Sequence, residues 1–208
     1  MRFPSGVLEE IAFQRFEKNR KRSENCFQMA ALRKASAYSR KRVRPFTRKS
    51  AKKNRSYIKA VPPLRIVKYN MGDQQGAVNG KHKYIVKLVA EEKAQMRDNS
   101  LEACRMIINK SMDLSAPGEY YFVIKTYPHH ILRENKAAGG TAGADRLSHG
   151  MKHSFGVTVG RAAIVNAGKE VFEISCVTEK GAQAAKKALR KVKAKIPFRN
   201  RIIFEKLE

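Results

Sequence analysis

The sequence has no tryptophan, only three cysteines and, over a long central stretch, no acidic residue at all. Cys26, Cys104 and Cys176 are odd in number and widely spaced, with no CxxC pair, which argues against zinc or redox chemistry. Reduced thiols are expected, two of them in the core. No apolar run exceeds the five residues Tyr120–Ile124, far short of the roughly 18–20 that a spanning helix needs. A secretory pattern is missing too, because Glu9 and Glu10 interrupt the first apolar stretch, so the cytoplasm is the expected location. The 208 residues, 42% of them apolar, suffice for one domain with extensions and exclude a second large one.

Positive charge is what the chain has in excess: 44 Lys plus Arg against 18 Asp plus Glu, a formal net charge of +26. The excess is unevenly placed. Residues 29–72 hold fourteen basic residues and no acid, residues 179–208 hold ten basic and three acidic, and residues 73–132 hold eight and seven. A nearly neutral body therefore carries two basic appendages. The denser one reads RKRVRPFTRKSAKKNRSYIK from Arg40 to Lys59, with Pro45 breaking any helix and Phe46 and Tyr57 interleaved. Self-repulsion and scarce apolar residues keep such a segment open until an anion neutralises it. Fully extended, 29–72 spans at most roughly 150 Å, enough to thread a crevice. The pattern points to an RNA-penetrating arm in which Arg40, Lys41, Arg42, Arg44, Arg48, Lys49, Lys52, Lys53 and Arg55 neutralise phosphates while the aromatics lie on bases. A solvated tail or a localisation signal is the bland alternative.

After Pro62 and Pro63, alternation predicts a strand with Leu64 and Ile66 on one face and Val67 and Tyr69 on the other. A loop with Gly72, Gly76 and Gly80 follows, then a strand over His82–Ala90 with Tyr84, Val86 and Leu88 on one face. Asn99 or Ser100 is the expected cap of a helix whose Leu101, Cys104, Ile107, Ile108 and Met112 fall at helical spacing. Tyr120–Tyr127 is the strongest strand, followed by Pro128 and a short run through Leu132. Residues 133–153 break every periodicity and hold four glycines, as functional loops of this length often do. Strands are expected over Phe155–Val165 and Val171–Val177. Thr178 then caps a helix with Ala182, Ala185, Leu189 and Val192 inward and Lys186, Lys187, Arg190, Lys191 and Lys193 elsewhere. Arg201–Glu205 closes the chain as a strand. Two helices set among runs of strands predict an α+β fold, with both helices on one face of a mainly antiparallel sheet.

Catalytic chemistry finds little support. GGTAGADR lacks the Lys followed by Ser or Thr of a phosphate loop. His129, His130, His149 and His153 with Asp145 have the composition of a metal nuclease, but adjacent His129 and His130 would point to opposite faces of a strand. Gly150 disfavours the helix that would join His149 to His153. Contact with phosphates or bases suits these imidazoles better. No metal, cofactor or catalytic residue is expected. Glu91 and Glu92, beside Lys93, are expected as a solvated surface.

The stretch YPHHILRENKAAGGTAGADRLSHGMKHSFG, Tyr127–Gly156, resembles the signature region of a universal large-subunit ribosomal protein family, called L-sixteen in bacteria and L-ten-e in archaea and eukaryotes. RENK, GADR and the GM followed by FG are its specific parts. YSRKRVRPFTRK and IVKYNMGD are similar to the family's arm and first strand, SLEACRMIINK to its first helix, and GAQAAKKALRKVKAKIPFRNRIIFE to its last helix and strand. The likeness runs from about Met29 to the C-terminus, and the RENK form and short C-terminus lean archaeal. It departs at HSFGV, His153–Val157, where the family more usually has GAFGK.

The resemblance implies a hammerhead-type α+β fold on large-subunit rRNA, near the 5S rRNA and the aminoacyl-tRNA site. It implies neighbouring ribosomal proteins as partners, no membrane, and a monomer within the ribosome. Carried over, the 133–153 loop faces tRNA through Arg133, Asn135, Lys136, Arg146 and Lys152, with His153, where the chain departs from the family, expected beside them. Independently of the resemblance, the basic helix face with Lys187, Arg190 and Lys191 is expected to give a second rRNA contact. Residues 1–28 match nothing in the family and Met29-Ala-Ala-Leu-Arg resembles a natural start. The expected division is an extension over 1–28, an rRNA-binding arm over 29–63 and an α+β core over 64–208. The competing expectations are a free nucleic-acid chaperone or regulator, and a metal-dependent nuclease.

Overall fold

The computed structural model describes residues 43–49, 57–134 and 156–207. Its elements are β1 (Asn70–Gly72), α1 (Gln74–Val78), β2 (Tyr84–Ala90), β3 (Ala94–Arg97), α2 (Asp98–Ser115), β4 (Tyr120–Ile124), β5 (His130–Glu134), β6 (Val157–Val165), β7 (Glu170–Cys176), α3 (Glu179–Val192) with a terminal 3-10 turn, and β8 (Asn200–Lys206). The class is α+β, and every strand pairing is antiparallel. The strands form two sheets where one was expected: five in the order β1-β4-β7-β2-β8, and three in the order β3-β6-β5.

The main core follows from period two in the central strands. Val86 pairs with Ile174 and Ile174 with Phe122; Leu88 pairs with Phe172 and Phe172 with Ile124. All six side chains are buried on one face, and the Phe122 and Phe172 rings lie 5.9 Å apart. Against them pack Leu101, Cys104, Ile108 and Met112 of α2, and Ala182, Ala185, Ala188, Leu189 and Val192 of α3. The small residues of α3 let it approach closely: a Cβ on Gly181 would lie 3.5 Å from those of both Ala116 and Cys176. Cys104 and Cys176 are free and buried, and desolvation pushes each thiol up to about 12, so both stay protonated packing groups.

Local differences from the expected elements have identifiable causes. Residues 64–69 form no strand: within them the Val67 N–H is taken by the Glu102 side chain at 3.3 Å, and just ahead of them Pro62 O accepts Arg161 Nε at 2.8 Å. Val67 is 71% exposed and the ladder begins only at Asn70, opposite Val123. The glycine loop contains α1, nucleated by Asp73, whose carboxylate accepts Gly76 N–H at 2.8 Å. Helix α2 begins at Asp98, not after Asn99 or Ser100: its N-cap is the extended Arg97, which makes no side-chain cap bond, and the acidic Asp98 of its first turn is buried and accepts the Asn99 N–H at 2.9 Å. Strand β4 stops at Ile124, short of Tyr127. Strand β3, absent from the expected set, has Ala94, Gln95 and Met96 all buried, so no alternation marked it. Thr178 caps α3 as expected, accepting the Gly181 N–H at 3.3 Å.

At Gly72 the fold depends on one missing side chain. Its φ is +91°, and a Cβ there would lie 2.1 Å from the backbone carbonyl oxygen of Tyr120. Gly72→Ala should therefore lower unfolding free energy by about 2 kcal/mol through left-handed strain and displacement of β1 from β4. A urea midpoint measurement checks this, and an unchanged midpoint contradicts it.

Candidate nucleic-acid interface

Several acids of the body pair with its own bases. On the sheet face turned away from the helices, Lys87 bonds Glu205 at 2.7 Å and Glu170 at 3.3 Å, and Lys125 pairs with Glu173 at 3.0 Å. The Glu205 hydrogen bond, with Glu170 behind it, raises the Lys87 pKa despite partial burial. Glu102 holds Arg105 at 2.6 Å, and that contact lowers the Glu102 pKa and raises that of Arg105. By contrast Arg44, Arg48 and Lys49 of the arm, and Lys180, Lys187, Arg190 and Lys191 of α3, are exposed and have no carboxylate partner among the described residues.

Two cationic surfaces result. On α3, Lys180, Lys187 and Lys191 form one stripe along the seam with α2, where Gln183, Ser111 and Ser115 help to line a groove of about 340 Å³. Lysine ammoniums with serine hydroxyls beside them suit phosphate oxygens. Lys187, Arg190 and Lys191 were legible as the polar side of an amphipathic helix. The two serines were not, since only the packing of α2 on α3 brings them there.

The second surface is the arm. Residues 43–49 lie along the edge of β5: Phe46 O accepts the Ile131 N–H and Phe46 N–H donates to His130 Nδ1, both at 3.0 Å. Arg133 Cζ sits 4.2 Å from the centroid of the Phe46 ring, and Tyr57 meets that ring edge-on at 6.1 Å. Ile58 N–H donates to Arg48 O at 3.1 Å, closing the chain back toward buried Ile58. A short anchored segment thus presents Arg44, Arg48 and Lys49 outward. Arg133 lies in β5 at the root of residues 135–155, just beyond a register shift between Leu132 and Arg133. Such a bulge re-aims the side chain. Arg40, Lys41, Arg42, Lys52, Lys53 and Arg55 of the arm, and Asn135, Lys136, Arg146, Lys152 and His153 of the loop, lie outside the described residues, as do Asp145 and His149.

Adjacent His129 and His130 do point apart. His129 is exposed, whereas His130 is only 7% exposed and spends its Nδ1 on the arm, so it does not reach an RNA directly. Desolvation, then the Arg133 charge, lower its pKa and keep it neutral. A second buried imidazole, His82, bonds the Ser175 hydroxyl at 2.8 Å, with Asp73 4.0 Å from its other nitrogen. The trio has the residue types of a hydrolase, but Ser175 and His82 are buried at 7% and 3% exposure, and burial lowers the His82 pKa. No substrate carbonyl can reach that hydroxyl, and the trio serves as polar packing. Among the described residues no group of three His, Cys, Asp or Glu is placed to hold a metal, and no helix is long and apolar enough to cross a membrane.

An antiparallel α+β body with an anchored arm that presents Arg44, Arg48 and Lys49, and with a lysine stripe along α3, has the make-up of a protein that contacts polyanions. The chain belongs to the ribosomal protein L16p/L10e family, whose model matches residues 45–203. It is 41% identical over 178 residues to the large ribosomal subunit protein uL16 of Staphylothermus marinus, a match covering 85% of this chain and 95% of that protein. The protein of that name from Methanococcus maripaludis is 42% identical over 178 residues, with the same coverage. That of Nanoarchaeum equitans is 38% identical over 174 residues, covering 83% of this chain and 92% of the relative. The expected family and its archaeal leaning are thereby borne out, and the chain is a structural component, not an enzyme.

Proposed function

We propose that the chain is a structural constituent of the large ribosomal subunit in the cytoplasm, where it binds rRNA through its arm and through α3 and helps to position aminoacyl and peptidyl tRNAs. The match to the family over residues 45–203, with exposed cations on the anchored arm and along α3 that lack a carboxylate partner among the described residues, carries this reading. In it, residues 29–63 thread rRNA, 64–208 form the seated core next to the 5S rRNA region, and 133–153 face tRNA. Neighbouring ribosomal proteins are the other partners of a single copy, and the arm neutralises phosphates that would otherwise repel one another as the RNA closes around it. The peptide bond would be made by the RNA. The protein contributes position and charge.

Arm and loop are separable experimentally. Replacing Arg42, Arg44 and Arg48 by Ala should deplete the protein from sucrose-gradient large subunits severalfold. Replacing Lys136 and Arg146 by Ala should leave incorporation intact and slow translation by those subunits. Loss of incorporation in both variants would remove the tRNA-facing role of the loop.

A further inference from the structure

Just ahead of β5 the rings of Tyr69, Tyr127 and His129 form a column. Tyr69 and Tyr127 are stacked with centroids 5.5 Å apart and planes inclined by 24°, and the His129 ring lies 4.5 Å from that of Tyr127, tilted by 48°. The inner end is fixed, since the Tyr69 hydroxyl is buried and desolvation pushes its pKa up to about 12. The outer end is open: Tyr127 is 38% exposed and His129 is exposed. Intervening Pro128 is buried, and His129 N–H donates to Tyr127 O at 3.0 Å, so the two outer rings share one side of a tight turn. Arg161 braces them from β6, its Nε bonded to Pro62 O at 2.8 Å and its Nη1 3.4 Å from the Tyr127 hydroxyl. Packing alone does not require planar groups at this surface. A rigid aromatic column ending in solvent has already met the entropy cost of ordering, and its free face suits another flat π surface.

We propose that the outer face of this column, with His129 outermost, seats one unpaired nucleobase of the bound RNA. The inference rests on the RNA-binding reading above and deepens it. A base is favoured over a phosphate because two of the three rings are phenols, and stacking is how proteins hold splayed single-stranded bases. The column also stands beside the places where RNA would already lie. His130, the next residue, carries the arm through Phe46, so an RNA strand neutralised by Arg44, Arg48 and Lys49 passes near the column.

The test uses the full chain and a fluorescently labelled single-stranded oligoadenylate, its affinity followed by anisotropy across a potassium chloride series. His129→Ala should weaken binding about tenfold, as loss of one stacked base does, without changing the slope of log affinity against log salt. His129→Trp should restore the affinity or exceed it. An Arg44→Gln/Arg48→Gln variant should do the opposite, reducing the slope by about 0.7 per phosphate contact. Unchanged affinity in His129→Ala, a reduced slope in that variant, or no recovery with Trp overturns the base seat alone. A wild-type chain with no salt-dependent RNA affinity overturns the RNA reading and the seat together.

Discussion

Replacing Arg44, Arg48 and Lys49 together by glutamine should weaken binding to single-stranded RNA roughly a hundredfold at about 0.1 M salt and reduce the log-log salt slope by about 2. The size follows from counterion release: each phosphate neutralised contributes about 0.7 to the slope for a single strand, and three contacts act together. All three side chains are exposed and lack a carboxylate partner among the described residues, so nothing internal competes for them. They also leave a backbone that Phe46 fixes to β5, so less of the binding energy is lost in ordering the chain. Glutamine keeps length and hydrogen-bonding capacity, which confines the change to charge. The same triple exchange at Lys87, Lys125 and Arg105 should leave the slope nearly unchanged, because those cations already have Glu205, Glu173 and Glu102. Equal slopes for the arm variant and the wild type would sink the arm's role as a phosphate contact.

Ion pairs within the body offset part of the repulsion in a chain that carries an excess of +26. Self-repulsion opposes compaction. Here Lys87 and Lys125 on the sheet face each sit next to a glutamate, while the densest excess lies on the arm and the solvent side of α3. Positioning a large polyanion needs a rigid body and adherent extensions, and the partition of charge supplies both.

Period and composition made most of this legible. Val86 and Leu88, or Ala182, Ala185, Leu189 and Val192, declare their faces because burial on one side imposes a period. Strand β3 was hidden because Ala94, Gln95 and Met96 are all buried, so no period distinguishes it, and with it went the second sheet. The Leu64–Tyr69 alternation misled for the converse reason. It has the pattern of a strand, but Glu102 takes the Val67 N–H that a ladder would use, and Arg161 holds Pro62 O just ahead of the segment. Of the candidate site, the charges were visible one residue at a time. The groove at Ser111 and Ser115, the ring column at Tyr127 and the seating of Phe46 join residues far apart in the chain, and spacing does not reveal such contacts.

Phe46→Ala should detach the arm from β5, shifting the docking equilibrium of residues 43–49 by roughly 2–3 kcal/mol while leaving global stability nearly unchanged. The substitution removes a half-buried ring that Tyr57 meets edge-on and on which the Arg133 guanidinium rests at 4.2 Å. The backbone bond from Ile131 N–H to Phe46 O remains chemically possible but loses the packing that holds it. Hydrogen exchange at the Phe46 and Ile131 amides reads the result directly, and protection equal to the wild type would refute the clamp. A pH dependence follows from the same contact. His130 Nδ1 accepts the Phe46 N–H only while it is unprotonated, and burial with Arg133 lowers the imidazole pKa in the docked state. The docked state therefore binds fewer protons than the released one. Docking is at full strength above the ordinary histidine value of about 6.5 and weakens as pH falls through it toward the lower docked value. Acid should loosen the arm in the wild type, and His130→Gln, whose amide oxygen can accept the same N–H, should abolish that dependence. Arg133, anchored on Phe46 at one end of β5, then leads straight into residues 135–155, so releasing the arm should also raise exchange at the Arg133 and Glu134 amides. A change confined to the arm would show that its seating and the loop's root are independent.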